Sequence, residues 1–418
     1  MLDLARKICA VLAILIVQAP ANANAVIPIW TDLGSPPVRV MDERLTPLGE
    51  GRILLTGGSL IRGGESDQAW VFDSATSGWT QLPNMPSPRT RHLVVALPDG
   101  SVLLAGGSSM NKGLATASLL TSDHSHWQSL PNALDLTIDA SATLLNDGRV
   151  LITGGYSGTG VTNATELFDP AKRSWSAATP MPGSRSGHSS LVLRDGSVLI
   201  AGGGSAIGPA VDIYLYRLST DTWTTLAPIP KVAFGAALVA LRDGRVLVAG
   251  GRVPIVNGDG NPSVAGVTST FILNLSTNIW TPAAPMPIGG VGPALIMSDG
   301  RVLMALPAVG FNVTPEIYDP VANTWISLPA RVLHNPQMAL SSQDRVLIVG
   351  QGDTYLVDPA GQRLAPSPET IVKQVTAAAA STSTTTTLVN LMIIMIVLGI
   401  IAWMTRYIVI SRRNAKSP

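Results

Sequence analysis

Cysteine is nearly absent from this chain: there is one in 418 residues, Cys9. It lies in a leader-like segment, where Arg6 and Lys7 precede an apolar run (residues 8–17, ICAVLAILIV) too short to span a bilayer, followed by the small residues of "APANANA". That order is the pattern of a secretory signal peptide over 1–25, cut after Ala25 or Ala23. Cys9 follows a basic pair without the small residues that precede a lipidated cysteine, so no lipoprotein anchor is expected. The mature chain would then hold no cysteine, which excludes disulfides, thiolate metal sites and cysteine nucleophiles. The fold must rest on its core, and the 335 residues from Val26 to Ala360 are enough to build one.

Charge is scarce as well. Charged residues make up 13%, with 28 basic against 27 acidic, a balance that gives no field for nucleic acid, and no nucleic-acid partner is expected. Long apolar runs are missing until the end, where residues 388–404 (LVNLMIIMIVLGIIAWM) carry only Asn390 as a polar interruption and continue past Arg406 into "IVI". Residues 388–410 are long enough for one transmembrane helix, and Arg412, Arg413 and Lys416 in the tail 411–418 mark its cytoplasmic side. The expectation is a single-pass membrane protein whose main domain faces the extracellular or periplasmic side. Residues 361–387, which include "AAAASTSTTTT", have no core-forming pattern and read as a stalk, a site of O-glycosylation or a plain spacer depending on the host.

What fills the middle is a repeat. "GRILLTGG", "DGSVLLAGG", "DGRVLITGG", "DGSVLIAGG" and "DGRVLVAGG" end at Gly58, Gly107, Gly155, Gly203 and Gly251, steps of 49, 48, 48 and 48 residues, and degraded copies begin at Asp299 and Gln343. Each unit reads as four strands: an apolar one, an Asp-Gly turn suited to a two-residue hairpin, the "RVLxxGG" strand, a third ending near Asp-Pro, and a fourth opening on tryptophan. Four antiparallel strands per unit make a propeller blade.

The glycine pair closing the second strand, the aromatic-Asp pair of the third ("VFD", "LFD", "IYD") and the tryptophan of the fourth resemble the kelch motif of β-propellers. The resemblance covers residues 26–360 and implies an all-β kelch-type propeller; it is almost silent on activity. Trp79, Trp127, Trp175, Trp223, Trp280 and Trp325 then belong to the scaffold.

The blade count exposes an irregularity. Trp30, in "IPIWTDLGSPP", lies 49 residues before Trp79, whereas the last repeat has no tryptophan strand. The N-terminal strand Ile27 to Leu33 is therefore expected to complete a seventh blade beside Tyr355 to Val357, which leaves no open sheet edge. Six blades with a degenerate cap are the alternative.

By the same resemblance, one mouth of the ring is built from the connections between blades and the loops after the glycine pairs. The connections are basic: Arg39, Arg89, Arg91, His92, Arg185, His188, Lys231, Arg331 and His334. With Arg62 in a loop, they are candidates for holding an anionic glycan or peptide. The loop after Gly251 is about nine residues longer than its counterparts, and its "NGDGN" makes Asn257 and Asp259 further candidates, although Pro262 and Thr268 break a calcium-loop pattern. His124 and His126 read as exposed and unliganded, and Asn163, Asn274 and Asn312 begin glycosylation sequons.

No catalytic constellation, cofactor site or metal quartet is legible. The leading expectation is a binding module for a glycan or protein; the alternative is a sugar-active, non-copper enzyme. Kelch-type propellers include copper oxidases similar to galactose oxidase, which need a cysteine this chain lacks, and sialic-acid mutarotases, for which Arg89, Arg91, Arg185 and Glu65 are the residues available as an acid/base set.

Overall fold

A computed structural model describes residues 26–133, 138–230, 235–256, 262–307, 312–333, 336–341, 345–350 and 353–363. The expected signal peptide, most of the stalk, the membrane segment 388–410 and the tail lie outside the described residues. Among the described residues all regular structure is β, and no helix is long and apolar enough to cross a membrane.

The unit Trp30–Pro359 is a ring of seven four-stranded blades. Blade 2 shows the local logic. Its innermost strand Leu93–Ala96 is followed by a turn closed by Gly100 N–H donating to Leu97 O (3.0 Å), with Leu97 N–H donating to Ser101 O (2.8 Å). Gly100 has φ +86° and Asp99 Oδ1 accepts from the Ser101 amide at 3.0 Å. The loop therefore holds three residues, not the two expected from the Asp-Gly pair: the glycine takes the left-handed position after a turn that the aspartate caps. The same bonds recur at Gly148, Gly196, Gly244 and Gly300.

The second strand, Val102–Ala105, is buried at every position, as are Val150–Thr153, Val198–Ala201 and Val246–Ala249. It alternates in direction but not in polarity, because both faces pack on neighbouring blades. In blades 2 to 6 the tryptophan of the outer strand joins the blade to the chain leaving the blade before it: Trp127 Nε1–H donates to Pro83 O, Trp175 to Pro131 O, Trp223 to Thr179 O, Trp280 to Ala227 O and Trp325 to Ala284 O, at 2.7–3.0 Å.

Blade 7 is made of Gln337–Leu340, Val346–Val349, Thr354–Arg363 and, at its outer edge, Val26–Asp32. Leu33 N–H donates to Thr354 O (2.9 Å) and Thr354 N–H to Gly34 O (2.8 Å). The Trp30 ring meets Tyr355 edge-on at 5.6 Å. The N-terminal strand thus closes the ring, the innermost strands neighbour one another all the way round, and the six-bladed alternative is excluded.

Beyond the glycine pairs, blades 2 to 5 each carry a two-stranded ribbon: Ser108–Ser109 with Lys112–Gly113, Tyr156–Ser157 with Gly160–Val161, Gly204–Ser205 with Gly208–Pro209, and Arg252–Val256 with Pro262–Gly266. In blade 1 the chain after the pair, Ser59–Leu60, instead bonds Val40–Met41 of the connection leading in. Ribbons and connections stand side by side, with Thr90 bridged to Ser108, Ile138 to Tyr156 and Ser186 to Gly204.

Candidate binding face

The connections into blades 1 to 5 end in a left-handed residue just before the innermost strand. These are Asp42 (φ 58°), Arg91 (53°), Asp139 (55°), Gly187 (62°) and Gly235 (66°), at one equivalent point of blades 1 to 5. Blades 4 and 5 place glycine there, the residue this backbone favours. Blades 1 to 3 place charged side chains, which cost about 1 kcal/mol or more each in that conformation. The three converge: Arg91 Nη1 is 3.5 Å from Asp139 Oδ2 and its Nε is 4.0 Å from Asp42 Oδ2, with all three side chains partly open to solvent. Beside them Arg44 donates from Nε to His92 O at 2.9 Å. Burial holds the Arg44 guanidinium below the usual arginine range, opposed by the nearby Asp139 and Asp42 carboxylates. Asp139 is raised by desolvation, against the pull of Arg91 and Arg44.

The next position is buried in each of blades 1 to 5 and decides how those blades meet. His92 Nε2 lies 2.9 Å from Thr56 Oγ1 of blade 1, and His188 Nε2 lies 2.9 Å from Thr153 Oγ1 of blade 3. Burial, reinforced by the charges of Arg44 and Arg89, pushes His92 well below the ordinary imidazole range; burial and Arg185 lower His188 to about 3. Both rings are neutral at physiological pH. Where the histidine is replaced by alanine the threonine is too, and Ala105 and Ala140 pack in one cluster, as do Ala201 and Ala236. In blade 1 the position is Glu43, 1% exposed, with no hydrogen bond of normal geometry reaching either carboxylate oxygen. Burial raises it to about 7, with its own backbone amide and Arg44 pulling the other way.

Arg89 and Arg185 are also buried, each 1% exposed. Arg89 Nη1 donates to Gly106 O (3.1 Å) and Nη2 to Ser87 Oγ (2.8 Å) and Thr116 Oγ1 (3.2 Å). Arg185 Nη1 donates to Gly202 O (3.3 Å) and Asp212 O (3.0 Å), and its guanidinium lies over the Tyr214 ring at 4.3 Å. Each arginine thus satisfies the carbonyl of the first glycine in its own blade's pair, which the abrupt turn leaves without a strand partner. The first glycine of the preceding blade lets this backbone come close: a Cβ on Gly57 would meet Arg89 O, and one on Gly154 would meet Arg185 O.

The candidate residues therefore separate. Arg89, His92, Arg185 and His188 are interior and bonded within the protein; Arg91 is at the mouth; Arg62 is exposed beside Ile61 in the loop of blade 1. Arg331 packs its guanidinium 5.1 Å over the Trp30 ring. Lys231, His334, Asn257 and Asp259 lie outside the described residues. In an outer turn His126 is exposed and His124 half-buried, its Nε2 3.3 Å from Gly100 O, and no group of three metal-capable side chains occurs among the described residues. Asp42, Glu43, Arg44 and Asp139 stand outside the basic set that the sequence suggests; the repeat period carried through Arg91 points to two of them, Asp42 and Asp139.

Around this mouth the loops present apolar side chains to solvent. Ile61, Met110 (80% exposed), Tyr156, Ile207 (99%), Ile255 and Val264 all lie on the segments that follow the glycine pairs of blades 1 to 5. Glu65 Oε1 accepts from the Met110 amide at 3.0 Å, tying the loop of blade 1 to the ribbon of blade 2.

The family model described as the KLHDC2/KLHL20/DRC7 Kelch-repeats domain matches residues 42–251, half of the chain. The chain is similar to the tRNA wybutosine-synthesizing protein 4 of Saccharomyces cerevisiae (strain ATCC 204508 / S288c), 36% identical over 56 residues, which are 13% of this chain and only 8% of the yeast protein's length. Among solved structures, YjhT superposes with a TM-score of 0.55 at 16% identity over 71% of this chain and 99% of its own. A fungal alcohol oxidase of the AA5 family in complex with copper superposes with a TM-score of 0.59 at 17% identity over 80% of this chain and 77% of its own. At such identities the structures share the fold alone. The matched kelch domain and the seven closed blades place this chain in the kelch-repeat β-propeller family.

Proposed function

We propose that this protein is a membrane-anchored propeller, displayed outside the cytoplasm, that binds a polypeptide ligand on its ribbon face. The observation that carries the binding reading is the charged triad: Asp42, Arg91 and Asp139 occupy left-handed positions where blades 4 and 5 use glycine. Backbone strain kept at a surface is a mark of use. The alternating charges and the ring of exposed apolar side chains suit a peptide, which brings both hydrogen-bonding groups and side chains for apolar contact. A purely anionic glycan fits less well, because Arg91 already lies between two carboxylates. The anchoring rests on residues 388–410 and the basic tail. Panning a displayed peptide library on the full-length chain tests the reading: enriched peptides should lose binding to Arg91→Glu, and retention of binding overturns the assignment of the face.

The enzymatic alternative has one observation in its favour, the Glu43 carboxyl raised to about 7 at the edge of the triad, the range of a general acid or base. Glu316, buried in blade 6, is raised to about 7 by burial as well, so the value follows from packing and does not single out Glu43.

A further inference from the structure

At the end of the blades opposite the ribbons, a cleft of about 670 Å³ opens between blades 4 and 5 and reaches the first strand of blade 6. Its walls are apolar, with Leu193, Leu215, Leu241 and Met297 among the lining residues. Its rim is basic: Arg194, Arg217 and Arg242 line it against a single carboxylate, Asp195. Volume and lining fall in the range of small-molecule sites, roughly 300–1,000 Å³ with few polar groups.

The charge is a departure from the repeat. At the end of the third strand, blades 1, 3 and 6 carry Asp73, Asp169 and Asp319, whose side chains accept amides of the following turn at 2.7–3.0 Å. Blade 5 uses Asn274 in the same way, accepting from the Ser276 amide at 3.0 Å. Blade 4 has Arg217 there, and its turn is left with backbone bonds of 3.4 Å from Thr220 to Arg217 O and from Asp221 to Leu218 O. A local cap has been exchanged for a cation on the cleft. Arg217 Nη1 lies 3.7 Å from Asp195 Oδ2, while Asp195 Oδ1 accepts from Ser197 N and Oγ. Arg194 donates to the backbone carbonyl of Arg242, which brings two guanidinium-bearing turns together. Arg242 meets no carboxylate among the described residues, since Asp243 is bridged to Arg245 and Asp299 to Arg301. Three guanidinium groups over an apolar trough, with one carboxylate among them, are complementary to a single negative head on a greasy body.

We propose that this cleft binds an anionic amphiphile, a carboxylate or phosphate head gripped by Arg217 and Arg242 with its apolar body laid along Leu193, Leu215 and Leu241. The inference is independent of the ribbon face.

The test is photolabelling of the full-length chain with a diazirine analogue of decanoic acid, its methyl ester serving as the uncharged control. The acid should label saturably, with the adducts mapped by mass spectrometry to residues 192–197, 240–244 or 296–298. Arg217→Asp and Arg242→Glu should each reduce labelling at a fixed probe concentration about tenfold, while Arg91→Glu leaves it unchanged. Arg217→Asp restores the cap found in other blades, so its thermal transition should be unchanged or raised, which separates lost binding from lost folding. Competition by free decanoate but not by phosphatidylglycerol vesicles would identify a soluble amphiphile, and competition by the vesicles a lipid headgroup. Equal labelling by acid and ester, adducts elsewhere, or full labelling of both arginine variants would overturn the proposal.

Discussion

The Thr56 hydroxyl and the His92 imidazole meet 2.9 Å apart across the junction of blades 1 and 2, both fully buried. Two blades on, Thr153 and His188 make the same contact, while the Ala105–Ala140 and Ala201–Ala236 junctions contain neither partner. The polar pair is therefore a unit: both members or none. His92→Ala should destabilise the propeller by about 2–4 kcal/mol, through a cavity and an unpaired hydroxyl. Thr56→Ala added to it should cost little more, giving a coupling of about 1–2 kcal/mol in a double-mutant cycle of denaturant unfolding. Simple additivity would show that the pair is not a unit.

These histidines also set an acid limit. Their folded pKa values are depressed, so below about pH 6.5 the unfolded chain binds protons that the folded chain refuses. Stability contributed by the neutral rings is present above 6.5 and is lost as pH falls toward 3, the value for His188. His188→Gln should flatten this acid limb in a series of melts.

Glu43 acts with the opposite sign. Its folded pKa is raised from 4.5 to about 7, so stability is full below 4.5 and is lost as pH rises through 7, where burial opposes ionisation. Glu43→Gln should leave stability at pH 4 nearly unchanged and raise it at pH 8, read as the difference in melting temperature between the two conditions. No gain at pH 8 would mean that the carboxylate is stabilised when ionised.

Arg91→Gly should stabilise the fold by up to about 1 kcal/mol while abolishing peptide capture. The variant reproduces the left-handed glycine of blades 4 and 5, and the exposed ion pairs it removes contribute little. A variant that is both more stable and still active would sink the proposed role of the triad.

Closure of the ring predicts a strong effect at the N-terminal strand. Trp30→Ala, which strips the contacts with Tyr355 and Arg331, should cost about 2–4 kcal/mol. Deletion of residues 26–34 should cost more, whereas truncation at Ala377 should leave the melting transition where it was.

The scaffold was legible because it repeats. A glycine pair every 48 or 49 residues marks where the second strand must stop, the tryptophans mark the outer strands, and the misplaced Trp30 foretells the closing strand. The hairpin loop is one residue longer than the Asp-Gly pair suggests, because the pair itself does not say whether glycine ends a two-residue turn or takes the left-handed place after a capped one. The site was harder. Arg89 and Arg91 stand two apart in one segment and look alike as letters, yet one points into its blade to hold Gly106 O and the other stands at the mouth between two aspartates.

The sequence by itself determined the repeat, the order of its strands and the candidate closing strand, because those follow from period and from which strand lacks a partner; the pairing of that strand with Thr354–Arg363 in the folded ring decided seven blades over six. Only the tertiary structure decided which charges are scaffold and which are surface. Burial and backbone angle depend on what the neighbouring blade places opposite, and Thr56 behind His92, the carboxylates of Asp42 and Asp139 around Arg91, and the cleft that Arg217 shares with Arg242 are set by residues tens of positions away.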